Sequence, residues 1–133
     1  MKVNKYIIGT AMVSSLLMTT SSILFGYTPP KDYIANLIPI LTVALPVVIP
    51  YIILFIMNKY TKDKVILKSI LITSLINIAF SVFLLFTCLD IIFNPTPESY
   101  EAYVLFIFVP ILQIAITFMG WLVGLALSKV LKK

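Results

Sequence analysis

The chain has 133 residues, of which 61% are hydrophobic and only 11% charged. Soluble domains are about 45–50% apolar and about 25% charged, and a chain this short buries only part of its surface, so the composition excludes an ordinary soluble globule. The net charge of +5 comes from lysine, which no segment gathers on one face, and this argues against a nucleic-acid partner.

The first apolar segment covers about residues 6–26, behind Lys2 and Lys5. At about 20 residues it exceeds the 7–15 of a signal-peptide core, and Ser21 to Gly26 offers no clean small-x-small cleavage site. An uncleaved helix is the expectation. Ala11, Ser15, Thr19, Ser22 and Gly26 recur every three or four positions, the spacing of a close-packing helix face. Tyr27 to Asp32 reads as a turn in which Pro29 and Pro30 stop one helix and Asp32 caps the next.

The second segment, about residues 33–57, carries no charge. A bilayer core of about 30 Å needs roughly 20 helical residues, so it is long enough to span. Pro39, Pro46 and Pro50 fall at helical spacing for one face and predict a kinked helix. Membrane helices tolerate such prolines when neighbours satisfy the freed carbonyls, so this segment is expected inside the protein rather than against lipid. Asn58 to Lys68 is a polar connection.

The third helix is expected over about residues 65–93. Ser69, Thr73, Asn77 and Ser81 recur along it every four residues. Asn94 to Pro97 reads as a second turn, with Thr96 capping and Glu98 near the positive end of the next helix dipole. The fourth helix follows over about residues 98–130. Its Pro110, Gln113, Thr117, Gly120, Gly124 and Ser128 keep three-and-four spacing, and Gly120-x-x-x-Gly124 is a close-packing motif of membrane helices. Trp121 reads as an interfacial anchor.

Cytoplasmic loops collect lysine. Lys2, Lys5, Lys59, Lys62, Lys64, Lys68, Lys129, Lys132 and Lys133 fall on one side of this plan, and Lys31 alone on the other. The expected fold is an all-α integral membrane protein, one domain over 1–133. Its four transmembrane helices form two hairpins with both termini in the cytoplasm. An isoleucine-rich, arginine-free composition suggests an AT-rich bacterial genome and hence the bacterial cytoplasmic membrane.

Catalytic chemistry is sparse. The chain has no histidine, no phosphate loop and no cofactor motif. Cys88 stands alone, without metal-ligand spacing, and reads as a small buried apolar residue. Asp32, Asp63, Asp90, Glu98 and Glu101 lie at or near segment ends, where caps and solvated ends explain them. Asp90 is the nearest candidate for an outward-facing site. Small four-helix multidrug exporters place a carboxylate in their first helix; this first helix has only hydroxyls, which argues against that class.

Asn77 and Gln113 form the most informative polar pair. Counting about 11 residues from each helix's cytoplasmic end puts both amides near mid-membrane. Amides in hydrocarbon need partners, so both are expected to face the interior and bond to each other or to backbone freed by the prolines. The hydroxyls of Ser14, Ser15, Thr19 and Thr20 read as packing groups that bond back to their own helix.

In size and in its lysine-anchored, two-hairpin plan, the chain is similar to bacteriocin immunity proteins against pore-forming toxins. That plan implies a non-enzymatic interaction or accessory protein whose partners are the lipid bilayer and another membrane protein or a toxin. The alternative is a small channel or transporter subunit, in which the Gly120–Gly124 face supplies a homo-oligomer interface.

Overall fold

The computed structural model describes residues 2–27, 31, 33–93 and 102–132. Among them the chain is helical and holds no strand. Its helices are α1 (Lys2–Tyr27), α2 (Tyr33–Ala44), α3 (Ile49–Tyr60), α4 (Lys64–Phe93) and α5 (Ala102–Leu131). The expected Pro29–Pro30 and Asn94–Pro97 turns, Asp32, Glu98, Glu101 and the Cys88 side chain lie outside the described residues.

α1 begins at Lys2 rather than near Tyr6. The reason is Asn4, whose fully buried amide donates to Asn58 Oδ1 at 3.0 Å and to the Leu67 carbonyl at 3.2 Å. These bonds hold the first turn of α1 between the end of α3 and the start of α4.

The second apolar segment breaks into α2 and α3 around a 3-10 turn, Leu45–Val47. Pro46 sits in that turn and Pro50 in the first turn of α3, where a missing N–H costs nothing. Pro39 lies inside α2. The prolines do not share an inner face: Pro50 is buried, Pro46 half-buried and Pro39 exposed. A 3-10 turn advances 3.0 residues per turn instead of 3.6, so the helical phase that aligned them in sequence is lost at the break. Nor is the whole segment enclosed, since Ile34 and Ile38 are exposed.

Helix ends gather at one place. Asn4 joins α1, α3 and α4 there, and Ser128 Oγ of α5 donates to Asp63 Oδ2 at 2.5 Å. α1 and α4 lead away from this end, and α3 and α5 return to it. Of the described lysines, all but Lys31 therefore lie toward that end. α4 and α5 share the largest interface, and α4 also packs on α1. Near the lysine end, Ile8, Tyr51, Leu54, Ile66 and Ile70 form a core, with Trp121 packed against it. Trp121 is half-buried and packs one side against this core.

α4 over Lys64–Thr87 and α5 over Ile107–Leu131 are each long and apolar enough to cross a membrane. The core helix of a soluble protein would be mostly buried, yet only 28% of the most apolar 18-residue stretch of each span is. The 3-10 turn splits the second segment, whose Leu45–Tyr60 stretch is a shorter apolar helix. The burial pattern points the same way. The described interior holds almost as many polar residues as apolar ones, including Asn4, Asn58, Thr73, Asn77, Gln113 and Thr117. Leucine, isoleucine and phenylalanine line the outside, among them Phe86, Phe93, Phe108 and Leu122. Buried polar groups beneath a contiguous apolar surface are the reverse of a water-soluble fold.

Candidate functional site

The polar interior divides into a seam, a central cluster and a lysine-end latch. The seam lies between α4 and α5. Ser69 Oγ donates to the Gly120 carbonyl at 2.5 Å, which requires the two backbones to run close. Only glycine allows that approach. A Cβ on Gly120 would overlap Thr73 Oγ1 and lie 3.0 Å from Thr73 Cβ; one on Gly124 would lie 2.9 Å from Ser69 Cβ. The glycine face is therefore occupied within the chain by α4, and it does not supply a free interface for a second copy.

The central cluster is built on the carbonyl oxygen of Asn77. Gln113 Nε2 donates to it at 2.7 Å and Tyr51 Oη at 3.1 Å. Gln113 Nε2 also reaches Ser81 Oγ at 3.1 Å, and Tyr51 Oη touches the same hydroxyl. Asn77 Nδ2 donates to Thr117 Oγ1 at 2.9 Å, and Thr117 Oγ1 donates in turn to the Gln113 carbonyl at 2.8 Å. Asn77 and Gln113 are both fully buried. The carbonyl that Gln113 reaches precedes Ser81 by four residues, so no proline freed it. Two acceptors, Asn77 Oδ1 and Gln113 Oε1, keep no hydrogen-bond donor. All these groups are neutral amides and hydroxyls; they can bond helices and bind polar neutral ligands, but none of them titrates near neutral pH.

The latch is built on Asp63. Its Oδ1 caps α4 by accepting the Val65 N–H at 2.8 Å, while Oδ2 accepts from Ser128 and lies 2.6 Å from Lys132 Nζ. The Lys132 ammonium, then Ser128 and the Val65 N–H, hold the carboxyl well below the usual carboxylate range. A depressed folded-state pKa gives stability that is present above the unfolded pKa of about 3.9 and is lost as pH falls through the acid range. Lys132 is 71% exposed, so salt screens the ion pair and the cap carries much of the effect. Asp63→Asn is expected to lower the melting temperature in detergent at pH 7 and to flatten its decline between about pH 5 and pH 2. Equal acid slopes in the two proteins would refute the assignment.

Asp90 is exposed on the last turns of α4. Among the described residues no group of His, Cys, Asp or Glu is placed to hold a metal. Two apolar clefts open on the surface. One of about 500 Å³ lies between α1 and α4, with Thr10, Ser14, Ser15 and Ser81 among its lining. The other, about 580 Å³, is walled by Phe80, Phe83 and Phe108 between α4 and α5.

No family model matches the chain. No curated protein or solved structure matches it significantly either.

The sequence spacing put Thr73, Asn77, Gln113, Thr117 and Gly124 on facing stripes, and the structure buries all of them. Asp63, expected as a cap or solvated end, does cap α4, whereas Asn4 and Tyr51 were not singled out and Asn58, placed in the polar connection, is a buried residue of α3. Both asparagines stand among lysines at segment ends, where the sequence gives no packing periodicity. A signal did exist, because both amides flank an apolar run on the lysine side and fall at matching depth.

Proposed function

We propose that this chain crosses the bacterial cytoplasmic membrane four times, with both termini on the lysine-rich cytoplasmic side. It acts without catalysis, by binding another membrane protein or a membrane-active toxin. The observation that carries the reading is the inverted burial: amides and hydroxyls inside, large apolar side chains outside. In hydrocarbon such a surface is satisfied and the interior polar groups bond helices together. With most of those groups used within the chain, recognition falls to the outer helix faces and to the lysine end.

Membranes from expressing cells should retain the chain through alkaline carbonate washing. Alkaline phosphatase fused after Lys133 should stay inactive, while a fluorescent protein there should fold. Cells carrying the chain should survive a pore-forming bacteriocin that kills cells without it, and purified protein in vesicles should leave a solute gradient intact. An active phosphatase fusion would refute the orientation. A gradient that collapses in the wild type and persists in Gln113→Leu would favour a second reading, an oligomeric channel or transporter subunit. The unpartnered Asn77 Oδ1 and Gln113 Oε1 are the observation that supports that alternative.

A further inference from the structure

The tripeptide Asn-Lys-Tyr occurs twice, at residues 4–6 and 58–60. The first copy lies at the start of α1 and the second closes α3. Both fold alike: the asparagine is buried, the lysine exposed and the tyrosine 75% exposed. The two copies also meet, because Asn4 Nδ2 donates to Asn58 Oδ1. α1 leads away from the lysine end and α3 returns to it, so the helices run antiparallel at this contact. Antiparallel helices that touch through equivalent residues are related by a local two-fold axis perpendicular to both. Each following residue is turned by about 100°, and the axis carries both turns to the same side. Lys5 and Lys59 therefore stand on one side of the α1–α3 pair, flanking the bond between the asparagines.

These two ammonium groups have no anion to meet among the described residues. The carboxylate of this end, Asp63, is held by Lys132 and Ser128. α1 has no acid in its first turn, so Lys5 adds its charge to the positive end of the helix dipole. Lys59 Nζ lies 5.5 Å from the centre of the Tyr60 ring, which keeps the ammonium beside an exposed tyrosine.

We propose that Lys5 and Lys59 form a two-armed binding site for the headgroup phosphate of an anionic phospholipid. The proposal rests on the membrane reading above. An ammonium is a compact charge with three N–H donors, and two of them turned to one phosphate make charge-assisted hydrogen bonds. The surroundings favour a lipid over a soluble anion. Tyr6 and Tyr60 are amphipathic side chains of the kind that sit at headgroup depth, and the apolar run of α1 begins directly after Lys5. An anion held here shares its place with hydrocarbon, and an amphiphile satisfies both. The cytoplasmic leaflet supplies such lipids and draws basic side chains to its surface.

The test is native mass spectrometry of the full chain, released from detergent with phosphatidylglycerol and phosphatidylcholine at equal concentrations. The chain should retain phosphatidylglycerol with about tenfold preference, which corresponds to about 1.4 kcal/mol. Lys5→Gln with Lys59→Gln should bring the two lipids to parity, and Lys5→Arg with Lys59→Arg should keep the preference. Lys129→Gln, at the same end on α5, and Lys31→Gln, away from it, should leave the preference unchanged. Helix content and melting in detergent should match the wild type in every variant, since all four lysines are exposed. Parity in the wild type, a preference that survives the double glutamine substitution, or an equal loss with Lys129→Gln would each overturn the proposal. Displacement of the lipid by inorganic phosphate at the same concentration would overturn a lipid as the occupant. Failure of the membrane reading is separable, because the chain would then stay dispersed in buffer without detergent, whatever lipid it retains.

Discussion

Valine at Gly124, and at Gly120, is expected to pry α4 from α5 and to cost about 1–3 kcal/mol at each position, the range for overpacking a close contact. The argument is geometric. A Cβ at Gly124 meets Ser69 Cβ at 2.9 Å and the Ile66 Cα at 3.4 Å, and backbone cannot step aside as a side-chain tip can. At Gly120 the obstacle is Thr73, whose hydroxyl is already committed to the Ser69 carbonyl. Separation also breaks the Ser69 to Gly120 hydrogen bond. Trp121 lies between the two glycines in sequence and packs on the core, so its fluorescence during thermal unfolding in detergent reports the damage directly. Gly9→Ala is the control. A Cβ there meets nothing within 4 Å, and relief of glycine's flexibility should leave stability unchanged or raise it by about 0.5–1 kcal/mol. If Gly124→Val melts together with Gly9→Ala, the close approach of α4 and α5 is wrong.

Leucine at Asn77 and at Gln113 should each cost about 0.6–1.7 kcal/mol, the range measured for polar contacts between membrane helices. The double substitution should cost close to the sum. Near-additivity is the informative part. Gln113 bonds the main-chain carbonyl of Asn77, which survives when the Asn77 side chain is replaced. Asn77 bonds Thr117, which survives when Gln113 is replaced. A coupling energy above about 0.5 kcal/mol in the double-mutant cycle would instead mean that the two amides act together, through the shared Thr117 and Ser81 hydroxyls or directly. Full stability of Asn77→Leu would remove the case for the cluster as helix glue.

Periodicity carried much of what the structure shows, and its limits are physical. The four-residue spacing of Ser69, Thr73, Asn77 and Ser81 holds because α4 is unbroken over 30 residues, so phase counted in sequence persists in space. The proline spacing of the second segment did not transfer, because the phase slips at Leu45–Val47. Gly120-x-x-x-Gly124 revealed a close contact but could not say whether the visitor was α4 or another molecule; that depends on chain-distant geometry. Tyr51 was invisible for a related reason. A lone tyrosine in an apolar run reads as apolar, and its hydroxyl gains a partner only once α3 and α4 are side by side.

The Asp63 latch has a consequence for biogenesis. Ser128 is made 65 residues after Asp63, a lag of about 3–13 seconds at 5–20 residues per second. Throughout that interval the carboxylate has only water and the amides of its own helix start. The nascent polypeptide therefore waits with one end of its assembly unfastened until the last turns of α5 are made.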